Sequence, residues 1–265
     1  MGSLLVTGKR LGYLAFLSLA LATLHASHAR PNDPDALWNI VNQECVPNQQ
    51  KHADPAPCSE VSISNGVERG FAVLKDNSAS KPYAFLLIPT RRITGIESPF
   101  LLAPDAPNYF QFAWTARSYV LGAVHTALAR DMIGLAVNSA KFRTQSQFHI
   151  HVDCVRPDIR ILLKEKEQAL TDRWSELEMS APDHAYMALK LSGKSLDQAN
   201  PFRMLADGIG GAREHMDLER PVVVGAVFKD GSGGSYVLSS RAAGLASAHG
   251  EDLLDSTCRL AASAR

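Results

Sequence analysis

The stretch that most constrains this chain is Ser146–Cys154, "SQFHIHVDC". Phe148, Ile150 and Val152 alternate with Gln147, His149 and His151, the period-two signature of a half-buried β-strand. One face of such a strand enters a core. The other presents an amide and two imidazoles, each roughly 7 Å from the next. A strand needs no histidines to be stable, so the row points to chemistry. A neutral imidazole is a competent nucleophile near neutral pH, because its ordinary pKa is about 6.5.

The 265 residues suffice for one large domain or two small ones, and 46% hydrophobic with 20% charged residues is an ordinary globular balance. Lys and Arg (27) equal Asp and Glu (27) in number, so no net field draws nucleic acid, and none is expected as a partner. Near the N-terminus, Lys9 and Arg10 precede an apolar run from Leu11 to Leu24, followed by the small residues Ala26, Ser27 and Ala29. This is the order of a secretory signal. The run of about 14 residues is short of the roughly 20 that span a bilayer comfortably, so cleavage after Ala29 and an uncleaved anchor both remain open. The expected division is a signal or anchor over residues 1–30 and one domain over 31–265. Its core covers about 38–165 and a C-terminal extension about 166–265.

Four cysteines suit export to an oxidising compartment. Cys45 and Cys58 flank the polar, Pro-rich "VPNQQKHADPAP", read as a loop, and closing it contributes about 3 kcal/mol on the chain-entropy argument. Cys154 then pairs by default with Cys258, tying the chain end to the histidine strand. No C-x-x-C pair supports a four-cysteine zinc site.

Asp33–Cys45 reads as a short amphipathic helix. Two apolar runs, Gly70–Asp76 and Tyr83–Thr90, flank the turn-like "NSASKP" and suggest a hairpin. Arg91–Pro99 reads as a loop. Pro107–Arg130 has helical periodicity, with Pro107 suited to its first turn. Asp131–Ala140 reads as a strand, and Lys141–Gln145 as the polar turn before the histidine strand. Beyond it, Asp158–Leu177 reads as one amphipathic helix and Asn200–Gly208 as a short helix stopped by glycine. Pro221–Arg241 is a hairpin around Gly231–Gly234. The fold class is α+β: an antiparallel sheet with flanking helices and an extended C-terminal half, which either continues the sheet or forms a second lobe.

Three readings of the row compete. Histidines can be structural. His149, His151 and Asp153 resemble in spacing the His-x-His-x-Asp of metallo-β-lactamase-type hydrolases. That motif continues with a histidine where this chain has Cys154, and His184, His215 and His249 are scattered; no metal or other cofactor is expected. Finally, the row resembles the histidine-triad motif, in which alternate positions of one strand carry histidines and the middle one attacks a nucleotide α-phosphate. Gln147, His149 and His151 would take the three positions. Upstream, Asn138, Ser139, Arg143, Thr144 and Gln145 supply amides, hydroxyls and a guanidinium suited to phosphate, although a plain polar turn looks the same.

The resemblance extends further. "ECVPNQQ", "VLKD", "IPTRRITGIESP", "APNYFQFAWTAR", "LAVNSAKFRTQSQFHIHVDCVRPDIR", "PFRMLA" and "AREHM" occur in this order. Together they resemble the bacterial CDP-diacylglycerol pyrophosphatase family of the histidine-triad-like superfamily. The resemblance implies a histidine-triad-like fold and hydrolysis of CDP-diacylglycerol to CMP and phosphatidate, within phospholipid metabolism. It also implies contact with a membrane surface, and a periplasmic catalytic part on an inner-membrane anchor. Site roles follow: His149 as nucleophile, His151 as a phosphate contact that orients the transferring group, Asn138 as a holder of the His149 loop or the ribose, Gln147 and Thr144 as donors to non-bridging oxygens, with Gln145 beside them. Arg143 would meet the second phosphate, and Arg91 or Arg92 the diphosphate or anionic headgroups. The triad's first histidine is replaced by Gln147, which the leaving group rationalises: a phosphate monoester with a second pKa of about 6 departs with little protonation. Tyr109, Phe110, Phe112 and Trp114 would line a pocket or, as such stripes more often do, a core. Other readings are a broader nucleoside-diphosphate hydrolase or CMP transferase, a zinc hydrolase, and a non-catalytic binder of lipid or nucleotide.

Overall fold

The histidine strand sits inside its sheet, with three strands on one side and five on the other, in an order no local hairpin produces. The computed structural model describes residues 1–2, 33–179, 185–193, 196–242 and 249–262. The candidate signal at residues 9–29 and His184 lie outside the described residues. Nine strands, all paired antiparallel, form one sheet: β1 (Glu60–Ser62), β2 (Phe71–Lys75), β3 (Phe85–Pro89), β4 (Ile133–Ala136), β5 (Ile150–Cys154), β6 (Ser175–Glu178), β7 (Ala185–Ser192), β8 (Glu219–Val227) and β9 (Gly233–Arg241), in the spatial order β1-β2-β3-β5-β4-β8-β9-β7-β6. The C-terminal half therefore continues the sheet. Among the described residues no helix is long and apolar enough to cross a membrane.

Helix α3 (Tyr109–Val124) covers one face. Asn108 caps it by accepting from the Gln111 amide at 3.3 Å, so Pro107 precedes the helix instead of occupying its first turn. Its aromatic stripe is core: Tyr109 and Phe110 are fully buried and Trp114 nearly so, among Leu87, Leu135, Ile150, Val152 and Val223 of the sheet.

The opposite face carries two separate apolar clusters. At one end, α1 (Ala36–Asn39), a π-helical continuation (Ile40–Cys45) and α2 (Val46–His52) lie over Ala72, Leu74, Leu86 and Ile88. At the other, α4 (Pro157–Glu165) and the 3-10 turn Gly250–Leu253 lie over Ala136, Val222, Val224 and Leu238. Leu86 and Ala136 are the strand partners of His151 on either side. The histidines thus rise from the seam between the clusters.

Two local readings change. The presumed loop after Cys45 is largely helical, because Pro47 stands in the first turn of α2, where a missing N–H costs nothing. The single helix expected over Asp158–Leu177 stops at Glu165. Arg173 N–H turns back to Thr171 Oγ1 at 3.2 Å, and Ser175–Glu178 pairs with β7. Sheet pairing outweighs the helical pattern there. α5 (Pro201–Gly208) ends at its glycine as expected, with Asn200 accepting from the Phe202 and Arg203 amides.

Both disulfides are formed, Cys45–Cys58 and Cys154–Cys258, with sequence separations of 13 and 104. On the chain-entropy argument the longer loop contributes about 1–2 kcal/mol more. The Cys154→Ala/Cys258→Ala double variant is therefore expected to lose more stability in urea than Cys45→Ala/Cys58→Ala. An equal or reversed order would contradict the ranking by loop length.

Candidate active site

Sequence alternation puts Gln147, His149 and His151 on one face, but regular pairing of β5 begins only at Ile150. The preceding residues are held by the loop after β3. The Gln147 side chain, with no exposed surface, donates to the carbonyls of Pro89 (3.0 Å) and Arg91 (2.8 Å) and accepts from Ile93 N–H (3.3 Å). Phe148 N–H donates to the Ile93 carbonyl at 2.6 Å, while Ile93 and Ile96 anchor the loop in the core. The Gln147 amide protons are thus both committed to backbone. The role of phosphate donor expected for Gln147 gives way to that of a clamp.

The backbone of Gln147 has a second task. His149 Nδ1 lies 2.8 Å from the Gln147 carbonyl oxygen. A carbonyl only accepts, so Nδ1 carries the proton and the neutral ring keeps its lone pair on Nε2. The His151 ring stands edge-on to that of His149 with centroids 4.9 Å apart. Its Nδ1 is 3.4 Å from a Glu251 carboxylate oxygen, and its Nε2 is 3.4 Å from Asn138 Nδ2. Asn138 Nδ2 donates to the other Glu251 oxygen at 2.9 Å, and Lys81 Nζ closes the group as a hydrogen-bonded ion pair with Glu251. Asp76 stands 3.7 Å from the same ammonium. Each partner assigns the His151 tautomer alike: Nδ1–H toward the carboxylate, Nε2 as acceptor.

Burial pushes the pKa of both imidazoles below the ordinary value, for His149 against the opposing effect of its carbonyl bond and for His151 against that of Glu251. Both are therefore neutral at neutral pH. Burial works against ionisation of Glu251, but His151, Lys81 and Asn138 together hold it below the usual carboxylate range. Burial likewise lowers Lys81, and Glu251 and Asp76 more than restore it. Asp153, next on the same face, is pushed up to about 6 by burial. The ligand atoms of His149, His151 and Asp153 do not converge. Among the described residues, the one group of three close potential ligands is Asp153 with Cys154 and Cys258, and those sulfurs are bonded to each other.

A lone-pair-bearing imidazole beside a second neutral imidazole and a Lys–Glu pair is equipped for nucleophilic attack on a phosphate. A sequence model of the family described as CDP-diacylglycerol pyrophosphatase matches residues 32–262. The chain belongs to that family. It is accordingly a hydrolase, and CDP-diacylglycerol is the substrate the family implies.

The expected substrate-binding residues of this CDP-diacylglycerol pyrophosphatase family member divide in two. Asn138 is buried and bonded to His151 and Glu251. Arg143 is part-buried and pairs with Glu97 at 2.6 Å, close over Gly95. Thr144 is exposed on the turn before the strand. Gln145, by contrast, accepts from Leu37 N–H at 3.0 Å and donates to the Asp33 carbonyl at 3.1 Å, so it caps the first helix. The Arg91 guanidinium pairs with Glu68 at 3.3 Å and stacks over Phe100, while Arg92 pairs with Asp35 and lies over Trp38. The sequence marks neither Lys81 nor Glu251: Lys81 sits in the turn-like stretch Asn77–Pro82, and Glu251 lies 100 positions beyond His151 with no motif of its own.

Two outcomes test this geometry. Replacing Gln147 by Leu orphans one buried N–H and two carbonyls, at about 1–3 kcal/mol for a lost buried partner; urea unfolding should show a loss in or above that range, and a change below 0.5 kcal/mol would contradict the clamp. Because the depressed pKa values keep both imidazoles neutral as pH falls past 6.5, kcat/KM should hold through pH 6.5 and decline only below it. An acid limb centred at or above 6.5 would contradict their burial.

Proposed function

We propose that this enzyme hydrolyses CDP-diacylglycerol to CMP and phosphatidate through CMP bound covalently to His149. The observation that carries the reading is the 2.8 Å bond from His149 Nδ1 to the Gln147 carbonyl, which leaves the Nε2 lone pair available. In the first step Nε2 attacks the cytidylyl phosphorus. The bond to the bridging oxygen breaks, and phosphatidate departs with the electron pair. Little protonation is needed, because a phosphate monoester has a second pKa of about 6. This accounts for a first triad position that carries an amide used for structure. In the second step water displaces His149 and CMP leaves.

Arg143 and Thr144, at the start of the strand, are assigned to the phosphate oxygens and Asn138 to the orientation of His151. The Gln-x-His-x-His row on an inner antiparallel strand supports the histidine-triad-like assignment of the fold. Two disulfides and the basic-apolar-small order of the N-terminal segment support export, either as a soluble periplasmic protein or on an inner-membrane anchor. The lipid substrate supports contact with a membrane surface, and the chemistry needs no metal.

The test is acid-stopped or alkali-stopped reaction with substrate labelled in the cytidylyl phosphate. Labelled protein, stable to alkali and labile to acid as a phosphorus–nitrogen bond requires, should form with the wild type and be absent from His149→Ala. CMP release should persist in EDTA. Label on another residue would refute the nucleophile, and loss of turnover in EDTA would move the reaction to a metal.

A further inference from the structure

The covalent reading leaves one chemical task without a residue: activating the water that frees CMP. We propose that His151 is the general base of this second step and that Glu251 is its positioning residue, holding the imidazole in the tautomer that accepts the proton and stabilising the imidazolium that forms. The inference rests on the covalent reading and deepens it.

The geometry supplies each element. Glu251 faces His151 Nδ1 at 3.4 Å, so the acceptor of a water proton is Nε2. The contact of Nε2 with Asn138 is long, 3.4 Å, and Asn138 has its better bond with Glu251 at 2.9 Å. The lone pair is thus weakly engaged and easily yielded to water. Other ionisable groups acting on His151 are His149, Lys81 and His249, with Asp76 and Asp153 acting on Lys81. The atoms balance. Attack of the neutral His149 ring gives a phosphorylated imidazolium that keeps Nδ1–H on the Gln147 carbonyl. Water adds to phosphorus, its proton passes to His151 Nε2, and the phosphorus–Nε2 bond breaks with its electrons returning to His149. His151 then releases its proton to solvent.

The chain fixes Glu251 with unusual care. A Cβ on Gly250 would collide with the Val137 carbonyl oxygen, so only glycine lets this turn lie against the end of β4. Behind it, Arg156 N–H donates to the Leu253 carbonyl (3.0 Å) and Asp255 N–H to that of Cys154 (2.8 Å). The Arg156 guanidinium holds the Asp252 carbonyl (2.9 Å), and the Cys154–Cys258 disulfide closes the segment onto β5 itself.

Glu251→Gln and Gly250→Ala, each checked for folding by thermal melting, test the proposal by rapid-quench kinetics on labelled CDP-diacylglycerol. Since kcat/KM reports the steps up to the expulsion of phosphatidate, while kcat also includes the hydrolysis that frees CMP, a variant slowed in that hydrolysis becomes limited by it: Glu251→Gln should lower kcat by about 100-fold, within the range of general-base catalysis, with kcat/KM changed less than about threefold. A stoichiometric burst of phosphatidate and accumulation of labelled protein should accompany it, and Gly250→Ala should show the same split. If labelled protein forms transiently in the wild type but neither variant accumulates it, and kcat and kcat/KM fall together, the inference is overturned and the covalent reading stands. If no labelled protein forms in the wild type or either variant while phosphatidate is released, both fall.

Discussion

The structure around the histidines depends on the buried side chain of Gln147. Its amide satisfies three backbone groups of the loop that follows β3. Unpaired, those groups would each cost the desolvation of a buried polar atom. Pinning the side chain also pins the residue's own carbonyl, and that carbonyl selects the tautomer of His149. One residue thus joins the packing of a loop to the protonation state of the His149 ring. A histidine here would present different donors and could not reproduce an amide's two donors and one acceptor in that space.

The second constraint is electrostatic. Two imidazoles in a seam between apolar clusters are forced neutral by burial, which suits attack but provides no positive charge for a diphosphate. Lys81 is the cation bonded within this group, and Glu251 and Asp76 hold it there. The seam therefore holds two neutral imidazoles with a balanced ammonium–carboxylate pair beside them. The pair is only part-exposed, so its field is less screened than that of a surface ion pair. Arg143, just before the histidine strand, is a second part-buried cation, held by Glu97.

What could be read in the sequence was what is local. The hairpin β2–β3, the hairpin β8–β9, the aromatic core stripe of α3 and the glycine end of α5 each follow from periodicity and turn chemistry within one or two dozen residues. Both disulfides followed from cysteine count and loop length. The end of α4 was misread because helical spacing continued past Glu165, while pairing with β7, invisible locally, claimed Ser175–Glu178. The helix hidden in the Pro-rich stretch after Cys45 was misread because proline, a breaker inside a helix, is acceptable in its first turn. Within the site, the alternation identified His149 and His151, and proximity in sequence identified Asn138. The same proximity misled at Gln145, whose amide faces the first helix, and at Gln147, whose amide faces a loop more than fifty residues away.

Glu251 and Lys81 belong to a different kind of information. β5 is neither sequentially adjacent to β3 nor joined to β4 by a tight hairpin, so the seam is assembled from the β2–β3 connection, the turn after β4 and a turn near the chain end. Each contact closes a long loop, and the entropy of closure must be met by many small attachments. This accounts for the concentration of devices behind Glu251: a glycine that permits contact with Val137, paired backbone groups around Val155 and Leu254, and a covalent link from β5 to Cys258. A carboxylate brought that far must stand within a few tenths of an ångström of its place to select one tautomer of an imidazole. The disulfide is therefore as much a part of the site's geometry as of its stability, because it joins the strand that bears the histidines to the segment that bears the carboxylate facing them.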